Sequence, residues 1–247
     1  MTNNFPKMNF VGLDGILVQF SDEIRENANS AALAFRHEVE QKNQSSIIES
    51  ANSLTAAYFR IDTKIEPLDS ILYFFNEMLK EKNWYTSKLP TDRKLFKIPC
   101  VFGTELAPHF EKVIKLAGIS RSKAILEFTT TRTRVMTIGF SPGQPYAGLL
   151  SKKWDLPRLA EVSKSVPKSA LVCAIRQLII FSNTTPTGWH HIGQTAFECF
   201  NSNRQQPILL RPGDEITFVE INSGELSQIN NNNADGLGGV EILEIRD

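Results

Sequence analysis

The sequence predicts an α+β chain in two domains, a small α/β layer followed by a β-barrel or sandwich. Three observations lead there. Near the start, short apolar runs alternate with two stretches of helical apolar spacing. Between Lys82 and Asp92 the chain turns polar, with Asn83, Ser87, Pro90 and Thr91, which reads as a linker. Beyond it, short β-forming runs are divided by Pro and Gly, the pattern of an all-β region. At 247 residues the chain is long enough for two cores.

In the first domain, residues 1–88, Ile16-Leu17-Val18-Gln19-Phe20 reads as a strand. Ser21 is placed to cap the helix that follows, with Asp22 and Glu23 in its first turn and Ile24, Ala28, Ala31, Phe35 and Val39 on its buried stripe. Leu54–Ile61 reads as a second strand. Pro67 opens a second helix whose stripe is Leu68, Ile71, Leu72, Phe75 and Leu79. The second domain, residues 92–222, has a helical patch over Glu105–Phe128, broken where Gly118 ends one helix and Ser120 begins the next. Its β runs are Val135–Ile138, Ala170–Ile175, Leu178–Phe181 and Ile216–Ile221. Residues 223–247 are Asn- and Gly-rich and are expected to form a flexible polar tail, with the closing VEILEIRD strand-like but too short for a core of its own.

Composition narrows the function. Basic and acidic residues balance at 27 each, so no single-sign field favours nucleic acid or an anionic membrane. No apolar run approaches membrane-spanning length, and the first four residues carry no leader pattern. Three widely spaced cysteines, Cys100, Cys173 and Cys199, favour free thiols and a cytoplasmic setting. There is no Cys-x-x-Cys pair, no His-Glu-x-x-His and no phosphate-binding glycine loop, so no metal or prosthetic group is expected in this chain.

Gly139-Phe140-Ser141-Pro142-Gly143 matches the Gly-x-Ser-x-Gly of serine hydrolases. That elbow needs a helix after the turn, and an N–H on the residue after the serine to serve the oxyanion hole. Pro142 has no N–H, and Gly-Gln-Pro-Tyr is a poor helix start. Ser141 is therefore rejected as a nucleophile. The turn either shapes a plain loop or forms a pocket wall carrying Tyr146. The stretch NTTPTGWHHIG, Asn183–Gly193, holds hydroxyls, a tight turn at Pro186 and Gly188, and a flat wall at Trp189. It reads either as a binding loop or as a hairpin whose Trp plugs a barrel end. His37 belongs on the solvated side of its helix. His190 and His191 are adjacent on a strand, so at most one enters a given pocket, and the plainer reading leaves one exposed.

Seven segments in order, GILVQF, IPCVFGTELAPHF, IGFSPGQPYAGLL, LPRL, VPKSAL, TPTGWHHIGQT and LRPGDEITF, resemble the allophanate hydrolase subunit 1 family, also called KipI-like. The resemblance covers about residues 10 to 222. It implies a small α/β sandwich followed by a cyclophilin-like β-barrel. It also implies a non-autonomous subunit of an ATP-dependent hydrolase that opens the lactam of 5-oxoproline, related to the carboxyltransferase region of urea carboxylase. The implied partners are a carboxyltransferase-like second subunit and a LamB/YcsF-type subunit, with ATP as co-substrate of the complex. The chain departs from the family pattern at several places. Phe102-Gly103-Thr104 stands for Tyr-Gly-Gly, Ala107-Pro108-His109 for Gly-Pro-Asp, Phe128 for a His, and Gln194 for an Arg. These changes deplete the polar site. Carried over position by position, Glu105 and His190 are the candidates for proton transfer, and Gly143, Tyr146, Arg158, Gln177, Pro186, Gly188 and Trp189 the substrate-lining residues, provided that the bends at Gly143 and Trp189 share one concavity. The alternatives are a binding module directed at a sensor histidine kinase, or a catalytically degenerate structural subunit.

Overall fold

A computed structural model describes residues 5–245. The first four residues and the last two of VEILEIRD lie outside them. The chain divides into two compact units, Met1–Thr91 and Asp92–Asp247.

In the first unit, β1 (Lys7–Val11), β2 (Gly15–Gln19), β3 (Ile47–Asn52) and β4 (Ala56–Ile61) form an antiparallel sheet in the order β1-β2-β4-β3. Ile16 and Val18 of β2, and Ala57, Phe59 and Ile61 of β4, alternate onto one face. Against that face pack α1 (Glu26–Gln41) and α2 (Leu68–Lys80), through Phe35 and Val39 of the first and Ile71, Phe75 and Met78 of the second. Pro67 does precede α2. Ser21 does not cap α1: that helix starts at Glu26 without a side-chain cap, and the Ser21 hydroxyl accepts the Glu23 N–H at 3.0 Å in a separate turn. Part of the expected linker also belongs to this core. Trp84 is buried, its ring 4.9 Å from Phe35, and its indole N–H donates to the Met78 carbonyl at 3.2 Å. The large apolar ring outweighs the polar composition around it.

The second unit is built on β5 (Lys94–Phe102), β6 (Thr133–Ile138), β7 (Pro145–Gly148), β8 (Ser163–Val166), β9 (Ala170–Ala174), β10 (Gln177–Ile180), β11 (Thr185–Thr187), β12 (His190–Thr195), β13 (Glu215–Glu220) and β14 (Glu241–Glu244). Strands run β12-β9-β10-β7-β6-β13-β5, and β5 pairs back to β12, closing a seven-stranded barrel. β8 and β11 form a separate two-stranded ribbon. Alternate residues point inward, among them Phe96, Ile98, Cys100 and Phe102 of β5, Leu171 and Cys173 of β9, and Leu178 and Ile180 of β10. Helices α3 (Phe110–Ala117) and α4 (Arg121–Thr130) add Phe110, Val113, Ala124 and Phe128 to that core. Gly118 and Ser120 separate them as the sequence predicts, Gly118 in left-handed conformation and Ser120 capping α4. β9 and β10 are buried on both faces, because Val172, Ala174, Ile179 and Phe181 enter a second cluster outside the barrel with Val166 and Trp189. This is why these strands read as unbroken apolar runs.

The expected flexible tail is instead structured. Asn222 and Glu225 form a reciprocal capping box at α5 (Ser223–Asn231). Leu226 is buried with Val101 and Ala196. β14 then pairs antiparallel with the first half of β5, Glu241 opposite Lys97 and Glu244 opposite Lys94. The segment lacks its own core but borrows the open half of β5. Asn233 clamps the connection, its amide N–H donating to Ala196 O and its Oδ1 accepting from Gly238 N, both at 2.7 Å. Gly238 has φ +61, and a Cβ there would collide with the Ala196–Phe197 peptide. Asn233→Ala is expected to lower unfolding free energy by about 1–3 kcal/mol, read by chemical denaturation, since it strips partners from two main-chain groups; no change would mean that the clamp contributes nothing.

Candidate functional site

The site grows from the register of four strands. β10 places Gln177 opposite Ala174 of β9 and opposite Gly148 of β7. β12 pairs His190 with Cys173, so Trp189, one position earlier, comes over Ala174. Trp189, Ala174, Gln177 and Gly148 thus form a row on the outer face. The small Ala174 leaves room for the indole, which packs with it in the outer cluster. In the next row Ile179 pairs with Tyr146, whose ring meets Trp189 edge-on at 6.2 Å. The exposed Arg158 guanidinium lies over the indole, 5.5 Å from its centroid. Gly188 holds that segment by accepting the Leu159 N–H at 2.6 Å. Tyr146, Arg158, Gln177, Gly188 and Trp189 therefore gather at one place. Trp189 packs on the outside of the barrel and does not plug its end.

Gly143 lies elsewhere. It sits in the turn before β7, with φ +71, and packs against the Cys199 carbonyl and Phe200. Its turn joins β6 to β7 as a hairpin, with Gln144 N–H donating to Ser141 O at 3.1 Å, so no helix follows Ser141. What meets Trp189 is the middle of β7, not its turn. Pro186 is exposed on the ribbon strand β11. Glu105 is exposed on the loop between β5 and α3.

His190 and His191 are both buried, against the reading that left one in solvent. They point to opposite faces, as strand geometry requires. His190 Nε2 is 2.9 Å from the Pro157 carbonyl. A carbonyl only accepts, so Nε2 carries the proton and Nδ1 keeps the lone pair. That Nδ1 is buried without a partner, as is Nε2 of Gln177. Such atoms cost folding free energy and mark places where a ligand or water is received.

His109, which stands where the family pattern has Asp, joins them. Gly103 and Thr104, at φ +70 and +64, turn the chain out of β5. The turn brings His109 alongside β12. Its N–H donates to His191 O, and its Nδ1 accepts the His191 N–H, both at 3.0 Å. Its ring stands perpendicular to that of His190 at 6.1 Å. Burial, then the nearby His190 and Lys112, hold the His109 ring below its ordinary 6.5. Burial likewise lowers His191, partly offset by hydrogen bonding from Gly193. Among the described residues, no group of three His, Cys, Asp or Glu is arranged to hold a metal ion, and no helix is long and apolar enough to cross a membrane. All three cysteines are free and buried, and burial pushes Cys173 up to about 12, which makes them core thiols and not nucleophiles.

Comparison with known proteins agrees with this architecture. Residues 6–210 match the family described as carboxyltransferase domain, subdomain C and D. The chain is 28% identical over 221 residues to a 5-oxoprolinase subunit of Bacillus subtilis (strain 168), covering 85% of this chain and 91% of that protein. It is 33% identical over 142 residues to the corresponding 5-oxoprolinase subunit of Escherichia coli O157:H7, covering 57% of this chain and 65% of that one. The structure of Kluyveromyces lactis urea carboxylase superimposes on 96% of this chain with a TM-score of 0.73 at 18% identity, a likeness of fold. This chain spans only 24% of that much longer one.

Histidines held below their unfolded value bind fewer protons folded than unfolded. Their stabilising contribution is complete above the ordinary value of 6.5 and is lost as pH falls below it toward the lowered folded value. His109→Asn keeps an acceptor near the Nδ1 position but does not titrate. The loss of stability from about pH 7 to about pH 5 should be shallower in this variant, measured by denaturation at each pH. An unchanged slope would refute the assignment.

Proposed function

Because the chain belongs to the carboxyltransferase-domain family, subdomain C and D, we propose that it is a non-autonomous, cytoplasmic component of a 5-oxoprolinase-like complex that opens a lactam with ATP as co-substrate. The observation that carries this reading is the near end-to-end match to a 5-oxoprolinase subunit, 91% of whose length is covered. Its partners are a carboxyltransferase-like second subunit and a LamB/YcsF-type subunit.

The geometry supports a division of roles. 5-Oxoproline is a flat five-membered lactam bearing a carboxylate. Trp189 and Tyr146 offer apolar walls for the ring, and the exposed Arg158 a guanidinium fork for the carboxylate. Gln177 supplies a buried donor awaiting an acceptor. His190 Nδ1, with its lone pair fixed by the Pro157 contact, lies on the Cys173 face of β12, opposite the Trp189 face, and is suited to take a proton from attacking water where a bound carbonyl reaches past the strand end at Pro157 and Arg158. ATP supplies the activation of that carbonyl. Glu105, exposed on its loop, drops behind His190 as the base.

The test is co-expression with both partners and assay of glutamate formed from 5-oxoproline and ATP. His190→Ala should lower kcat by about 10²–10⁴. Arg158→Ala should raise KM by about tenfold or more, from loss of a charged hydrogen bond. No glutamate from the three-subunit assembly would sink the reading. If the chain then bound a sensor histidine kinase dimerisation domain, a regulatory module would be favoured, and assembly without either property would leave a structural subunit.

A further inference from the structure

We propose that His109 is a second catalytic group of this site, a neutral imidazole whose Nε2–H donates to the oxygen on the reacting carbonyl carbon while His190 Nδ1 serves the attacking water. The inference deepens the reading above and rests on it.

Three observations support the assignment. The first is the tautomer. The His191 N–H donates to His109 Nδ1 at 3.0 Å, so Nδ1 holds a lone pair and the ring proton sits on Nε2. A second proton could enter only at Nδ1, where it would face an N–H. The second is rigidity. The His109 N–H donates to His191 O at 3.0 Å, so main chain and ring are both pinned to β12. The third is placement. The ring is half-buried, perpendicular to His190, with centroids 6.1 Å apart. That places the His109 ring beside the imidazole whose Nδ1 is buried without a partner, so a donor and a base are neighbours.

The charged and titratable groups facing the ring are His190 and His191 from β12 and Lys112 from its own helix. None is a carboxylate that would draw a proton onto the imidazole. A fixed neutral donor needs no reorganisation as negative charge grows on the substrate oxygen. His109 transfers no proton in this role; it polarises the bond and returns unchanged.

Two amides separate this role from a structural one. Asn places an oxygen near the Nδ1 position and keeps the contact with the His191 N–H, but does not reach the Nε2 position. Gln places an N–H near Nε2. In the three-subunit assembly with 5-oxoproline and ATP, His109→Gln should keep kcat within about tenfold of wild type, and His109→Asn should lose about 100-fold with KM changed less than about threefold. Denaturation of each isolated chain checks that His109→Asn is folded. Equal kcat in His109→Asn and wild type, or a His109→Gln variant as slow as His109→Asn, would overturn the inference and leave the lactam-opening reading standing. A wild-type assembly without turnover removes the reading, and this role with it.

Discussion

The barrel closes over only three residue pairs, and the site follows from that constraint. β5 meets β12 at Cys100–Thr195, Val101–Gln194 and Phe102–Gly193. The approach is tight: a Cβ on Gly193 would lie 2.6 Å from Cys100 Sγ. β5 ends there, with one further contact from Gly103 N–H to Ile192 O at 3.2 Å, while β12 shifts register against β9 between His191 and Gly193. The unclaimed edge of β12 must then find other partners, since buried main-chain groups do not stay unpaired at low cost. It finds them in His109, which supplies an imidazole lone pair and an N–H in place of a strand. That contact fixes the tautomer of His109 beside the strand end, as the Pro157 carbonyl fixes that of His190 on it.

The same strand divides its side chains between two environments. His190 faces with Cys173, and Trp189 reaches over Ala174 on the outer face. The segment around Pro157 and Arg158 links the two, its carbonyl on His190 and its guanidinium on Trp189. That segment is itself anchored. Glu127 accepts from the Trp154 indole at 2.8 Å and from Ser151 at 2.9 Å, and pairs with Lys153 at 2.7 Å. These contacts hold Glu127 ionised against the desolvation that raises a buried carboxyl. The outer face therefore presents an aromatic wall, a cation and a buried amide donor on a rigid sheet, which suits a small, flat, anionic amide better than an extended polymer.

Sequence made much of this visible, unevenly. Strands with β-branched runs buried on both faces, β9 and β10, stood out, as did the break between α3 and α4, because Gly118 and Ser120 have specific conformational roles. β1 and β3 did not, since they are largely exposed edge strands with little alternation. Ser21 looked like a cap because capping residues also make isolated turns. The Asn-rich tail looked flexible because its order comes from β5 and Ala196, far away in sequence. Around Trp189 several of the residues come together, while Gly143 stands apart because its turn packs against Cys199 and Phe200, a contact that motif order does not encode. His109 is legible as the residue standing for the family's Asp, but its bond to a main-chain N–H is one that no residue pattern encodes.

The central claim is that main-chain contacts fix both imidazoles, His190 with its lone pair at Nδ1 and His109 with its proton at Nε2. Long-range ¹⁵N–¹H correlation of the labelled chain at about pH 8, where an ordinary histidine is neutral, reads both tautomers directly. The account predicts the Nε2–H form for each ring. An Nδ1–H signal from either one, or free exchange between tautomers, would contradict it.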